Sequence, residues 1–232
     1  MDIGSALLPM GIIPALLILY VTLGGYEGKF KEHYIFLTFI GGIAMGTLVY
    51  FMESSVFLWM GRNSVYLGIL GFLIFSFIFS FFEIMSKLVV LNLPKFQKEE
   101  GVILYGASFG LGFASPVGVV VMLIRDVSSL ISVQGAYAAI TALSIIILSC
   151  STAMWVGTGI KMKQKTKYVM IASLAGFPAW PFIFFSASVY AASLAIIYSL
   201  FIYLYTRNAV MPYMMGRKAL KDAYRKKWLR KF

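Results

Sequence analysis

The sequence predicts an all-α, polytopic membrane bundle of about seven transmembrane helices, with the N-terminus outside and the C-terminus in the cytoplasm. Three observations carry that prediction. Of the 232 residues, 60% are hydrophobic and only 12% charged, against about a quarter charged in an ordinary globular domain. Apolar surface on that scale requires lipid as its main solvent. Apolar runs also recur at the length needed for a helix to cross a bilayer, about 20 residues at about 1.5 Å each. Finally, Lys and Arg gather at alternate ends of these runs.

In order, the runs cover residues 3–24, 34–52, 65–93, 102–124, 135–160, 168–185 and 189–206. The first has no basic n-region and no small-residue cleavage site, so it reads as a retained span rather than a cleavable signal. The last two form one apolar stretch, residues 168–206, too long for a single crossing and suited to two spans joined by a tight turn near Ser186–Ser188. Within the sixth, Pro178 and Pro181 each remove a backbone donor, so a kink is expected there. Carbonyls freed by such a kink must face protein or water.

Orientation follows from the basic residues. With the N-terminus outside, the inner loops hold eight (Lys29, Lys31, Lys95, Lys98, Lys161, Lys163, Lys165 and Lys167), the tail after Thr206 holds nine, and Lys87 closes span three. That places 18 of 20 basic residues inside, leaving Arg62 and Arg125 in outer loops. The positive-inside rule favours this arrangement over its reverse. The chain therefore divides into a bundle, residues 1–206, and a basic cytoplasmic tail, residues 207–232. In the tail, Leu220, Ala223, Tyr224, Trp228 and Phe232 recur at three- and four-residue spacing among eight basic residues. This is the pattern of an amphipathic helix lying on a membrane surface; the plainer alternative is a polybasic tail that only enforces orientation.

The net charge of +11 points to anionic lipid headgroups rather than nucleic acid, because the basic residues sit in short loops between spans. Localisation to the cell membrane as a multi-pass protein follows. Cys150 is the single cysteine, so no intramolecular disulfide exists. Neither a cofactor nor a metal is expected from the residue pattern.

Most acidic residues, Glu53 among them, are read as lying in loops, ends or the tail; Glu83 alone sits well inside a span. An intramembrane carboxylate costs at least a few kcal/mol and needs a partner or a proton. Lys87 follows at the i,i+4 spacing that shares a helix face. The pair reads either as an acid whose state a cation controls or as a structural ion pair with Lys87 snorkelling to the headgroups. In span four, Gly106 and Gly110 form one small-residue row and Ser108 and Gly112 another, a surface for close helix approach. Span three is the expected neighbour, which would bring Ser108 and the backbone near Pro116 within range of Glu83. The 16% aromatic content fits ordinary span composition rather than a ligand box.

The segments Phe82-Glu83-Ile84-Met85-Ser86-Lys87, Glu100-Gly101-Val102-Ile103-Leu104-Tyr105-Gly106 and Gly110-Leu111-Gly112-Phe113-Ala114 resemble the PrsW intramembrane proteases, relatives of the CAAX prenyl proteases. The resemblance covers about the first half of the chain, where Pro14 and the Gly41-Gly42 pair are similar too. It implies a polytopic fold in which glutamates and histidines on neighbouring helices activate water. Glu83 matches the family's first glutamate and Lys87 its lysine, and Tyr105, Gly106, Gly110, Gly112 and Phe113 match its glycine-rich helix. Departures are substantial. Ile84 stands for the second glutamate, Val117 for a later acid, and the only histidine, His33, precedes span two. Ser149, Cys150, Ser151 and Thr152, and the run Gly176-Phe177-Pro178, stand about where histidines are expected. A retained fold with a degraded site also resembles the anterior-pharynx-defective scaffold subunit of γ-secretase.

The leading expectation is thus a noncatalytic scaffold or binding protein, a pseudoenzyme that contacts a membrane-protein partner or transmembrane peptide. The alternatives are an active intramembrane peptidase using Glu83 with helpers such as Ser108, Ser151 or Thr152, and a small-molecule, lipid or ion transporter built around the kinked helix with Trp180. The noncatalytic reading rests on Glu83 standing alone, so a second acid or an imidazole folded beside it, or cleavage of a peptide by the purified protein, would overturn that reading. A dry, fully packed Glu83–Lys87 pair would favour the scaffold.

Overall fold

A computed structural model of the chain describes residues 8–62, 68–125, 132–185 and 188–211. These residues form helices and connecting turns, with no strand among them. One turn of π-helix, Leu8–Ile12, leads into α1 (Ile13–Leu23). Pro14, which has no N–H to donate to the preceding turn, stands where the π-turn gives way to α-helix. Then follow α2 (Glu32–Arg62), α3 (Ile69–Leu91), the short α4 (Pro94–Gln97), α5 (Val102–Ala114), α6 (Val117–Arg125), α7 (Val133–Lys161), α8 (Lys165–Gly176), α9 (Ala179–Phe184) and α10 (Val189–Ala209).

Among the described residues, six helices are long and apolar enough to cross a membrane: α2, α3, α5 continued by α6, α7, α8 continued by α9, and α10. The first apolar helix, Leu8–Leu23, falls short of a crossing over its described length, and residues 1–7, which the sequence reading included, lie outside the described residues, as does the tail from 212 onward. Two boundaries carry physical lessons. Span two does not stop at Met52: α2 runs on through Glu53 to Arg62, because the bundle buries that carboxylate instead of releasing it to water. Span six breaks where its prolines predicted, between α8 and α9. Neighbouring side chains donate to carbonyls just before the break, Ser80 Oγ to Ser173 O at 2.8 Å and the Tyr198 hydroxyl to Ala175 O at 3.0 Å. Polar backbone near a kink is thereby kept off the lipid.

At the centre stands α5, every residue of which is buried. Its small-residue rows face α7 and α2, not α3 as the sequence suggested. A methyl group on Gly106 or Gly110 would collide with the carbonyls of Ala153 or Ser149 on α7. On the opposite flank, Gly112 lies against the Phe39 carbonyl of α2, and Gly42 and Gly46 of α2 lie against α5 backbone in return. Glycine on both sides lets the axes approach until dispersion and polar contacts between backbones replace the missing hydrophobic drive. Two hydroxyls close the seams. Ser149 Oγ donates to Gly110 O at 2.9 Å, and Ser108 Oγ donates to Ile35 O at 2.7 Å. Around this trio, α10 and α8 lean on α7, α1 leans on α5, and α3 closes the ring against α8, α9 and α7.

The end that gathers the lysine-bearing loops is tied by polar contacts. Lys31 bridges to Glu99 at 2.7 Å, Lys161 Nζ donates to Glu100 O at 3.1 Å, and the Lys31 N–H donates to the Tyr105 hydroxyl at 2.9 Å. Tyr105, Tyr34 and Phe96 pack their rings together there. The hydrogen bond that the Lys31 ammonium donates to Glu99 holds its pKa above the usual lysine range.

Candidate functional site: a buried carboxylate pair

Glu83 lies on the inward face of α3 with Lys87 one turn later, and both are buried, at 7% and 1% exposure. Their charged atoms are 3.8 Å apart. Lys87 does not snorkel to the headgroups. Its ammonium turns into the bundle, donates to Thr152 Oγ1 on α7 at 3.3 Å and sits 4.9 Å from the ring centre of Phe113 on α5. That ring supplies cation–π attraction where water is excluded. Phe113 is therefore the member of the glycine-rich helix that reaches the site. Tyr105 belongs to the aromatic group at the lysine-rich end, and Gly106, Ser108, Gly110 and Gly112 serve the helix seams. Ser108 is spoken for by Ile35, and the backbone before Pro116 meets Gly11 of the first helical turn, so neither approaches Glu83 in the way the sequence suggested.

The second acid comes from α2. Glu53 is 3% exposed and lies within electrostatic reach of both Glu83 and Lys87. The Tyr50 hydroxyl adjoins Glu83, and the indole N–H of Trp180 on α9 adjoins Glu53. None of these neighbours completes a hydrogen bond: both Glu53 oxygens, the Tyr50 hydroxyl and Trp180 Nε1 are buried without partners. The sequence reading missed Glu53 because it took a charged residue as the end of a span. Its position three residues after Tyr50 and four before Phe57, on the helix face that Gly42 and Gly46 turn towards α5, was the available signal.

The two segments standing where the sequence resemblance expects histidines do converge on Glu83. Ser149 and Thr152 of α7 and Gly176 of α8 line a crevice with Glu83, Lys87 and Ser80. Its volume is about 10 Å³, at the lower limit for a single water. Cys150 is buried, and Ser151 is bonded to its own helix at Ile147 O. On the side of Trp180, an aromatic cluster covers Glu53: Phe79 and Phe57 lie 5.0 and 5.9 Å from the indole, and Phe184 joins Phe57 to Phe72. Aromatic rings from α2, α3 and α9 thus meet, although each run alone reads as ordinary span composition. Among the described residues, no group of three or more His, Cys, Asp or Glu side chains is placed to hold a metal ion.

Compared with known proteins, the chain matches no family model, and neither a curated protein nor a solved structure shows significant similarity to it.

Proposed function

We propose that this protein is a noncatalytic membrane bundle, a scaffold or binding protein of PrsW-like architecture, with its lysine-rich end facing the cytoplasm. The observation that carries the reading is the closure of the charged site. Lys87 is 1% exposed, Glu83 is 7% exposed, and the crevice between them is about 10 Å³. Peptide hydrolysis needs a carbonyl and a water held about 3 Å from the acid–base groups, and a space of that size holds at most the water. In this state Glu83 and Lys87 act as a clamp that joins α3 to α7 through Thr152 and to α5 through Phe113. Removal of Lys87 alone leaves buried carboxylate charge uncompensated.

The scaffold reading now stands on the closed crevice alone, because Glu53 beside Glu83 meets the condition that overturns a noncatalytic assignment resting on a solitary carboxylate. That observation favours a second reading, an intramembrane peptidase built on a glutamate pair. Lys87 can balance only one of two buried carboxylates, which leaves the other to carry a proton. Pairs of that kind serve as base and acid in hydrolysis. The unpartnered oxygens of Glu53 and the hydroxyl of Tyr50 would then receive substrate once the aromatic cover opened.

The two readings separate in proteoliposomes carrying the full-length chain and a transmembrane peptide of mixed sequence, with products read by mass spectrometry. The scaffold reading expects no cleavage, together with a melting temperature that falls in Lys87→Met and recovers in Glu83→Gln/Lys87→Met. Cleavage by the wild-type chain that is abolished in both Glu53→Gln and Glu83→Gln would establish the peptidase instead.

A further inference from the structure

Between α1 and α2 a groove of about 780 Å³ opens at the lysine-rich end of the bundle. Both helices rest on α5 yet barely touch each other, and the wedge between them is walled by Leu16, Leu19, Leu23, Ile35, Phe36 and Phe39. Along its mouth stand Glu27, Glu32 and His33, all exposed, and no Lys or Arg lines it. The connection between α1 and α2 carries Lys29 and Lys31 as well as Glu27 and Glu32, and of these four it is the two carboxylates that line the groove.

We infer that the groove is the docking site of the chain's own C-terminal segment, residues 212–232. The first argument is where the described chain ends. Thr22 near the end of α1 and Tyr203 of α10 share a hydrogen bond of 2.8 Å, and Arg207 lies near Tyr26, which follows α1. Val210 and Met211 are then buried at 5% and 2%, so the chain leaves α10 against the bundle, beside the turn that carries Glu27. The second argument is charge. Residues 212–232 hold eight Lys and Arg and one acid, Asp222, and meet a mouth whose fixed charges are carboxylates. The third is pattern. Leu220, Tyr224 and Trp228 recur every four residues, which on a helix gives one apolar stripe for an apolar wall. Length suffices: 21 residues extend roughly 30 Å as a helix, about three helix diameters. This inference concerns a face away from Glu83 and does not depend on either reading of that site.

Cross-linking of the full chain in phosphatidylcholine vesicles tests it. In a Cys150→Ala background, Tyr20→Cys on the groove side of α1 is combined with Trp228→Cys and treated with a short bismaleimide. Cross-linked peptides are identified by mass spectrometry, and isotope-mixed protein separates links within one chain from links between two. The expected result is an intrachain link that falls about fivefold in Glu27→Lys/Glu32→Lys. A control pair, Ile69→Cys with Trp228→Cys, should give none, since Ile69 starts α3 at the far end of the bundle. Melting temperature and size-exclusion profile verify that each variant is folded. Absence of the Tyr20–Trp228 link in folded protein, a link only between chains, or a yield insensitive to the charge reversal would each overturn the proposal.

Discussion

The seam between α5 and α7 and the pocket between α2, α3 and α9 lie a few residues apart in the same bundle, yet they are built on opposite principles. In the seam, glycine and serine bring two backbones together, and the Ser149 hydroxyl finds the Gly110 carbonyl. In the pocket, two carboxylates and a lysine share a confined space, and several polar atoms have no protein partner. A satisfied small-residue interface is cheap to keep in lipid, whereas each unpartnered buried polar group costs about 1–3 kcal/mol. The seam is thus held by satisfied contacts, whereas the pocket depends on how its buried charges balance.

The contrast breaks most visibly at Lys87. Lys87→Met strands the Glu83 carboxylate and is expected to cost about 3–5 kcal/mol, seen as loss of folded protein on size exclusion and a lowered melting temperature. Restoring neutrality with Glu83→Gln in the same chain should return most of it, and failure to do so would show that the Lys87 stem matters more than its charge. Next comes the seam. Gly106→Val drives side-chain carbon into the Ala153 carbonyl and should destabilise by about 1–3 kcal/mol, whereas Gly41→Ala, with open space around it, should match or slightly exceed the wild-type melting temperature. Equal effects at the two glycines would mean that helix approach is not what α5 contributes.

A smaller change sharpens the pocket. Glu53→Gln keeps shape, removes a carboxylate that has no hydrogen bond to lose, and should leave stability within about 1 kcal/mol of wild type or above it. A large loss would assign Glu53 a structural bond to the cluster. The smallest effect belongs to the exposed Lys31–Glu99 bridge. Lys31→Met should not shift the melting temperature resolvably, since exposed pairs contribute little. With the folded pKa of Lys31 raised, whatever the bridge contributes is present at neutral pH and is lost only as pH rises through that value. A thermal melt series from neutral to alkaline pH should therefore run alike in wild type and Lys31→Met, and a gap at neutral pH that closes at alkaline pH would show that the bridge contributes more.

Much of the bundle was legible from the chain alone. The approximate positions of six spans, the separation of α10 from the helices before it and the break at Pro178 follow from span length and the missing proline donor. Glu83 with Lys87 was legible too, because i,i+4 spacing fixes a shared face on any helix. What stayed hidden was every contact between helices. The rows Gly106/Gly110 and Ser108/Gly112 announce close approach without naming the neighbour, and it was α7 and α2 rather than α3. The sign of Lys87's exit, inward to Thr152 rather than outward to headgroups, was hidden for the same reason.

By itself, then, the amino-acid sequence determined an all-helical membrane chain with one charged pair on one helix face, since hydrophobic length and helical periodicity are local properties. Only the tertiary structure decided that α2 continues past Met52 and delivers Glu53 to Glu83. A carboxylate in an apolar segment marks a helix end when water is its partner and a buried site when other helices surround it, and which of these holds depends on neighbours distant in the chain.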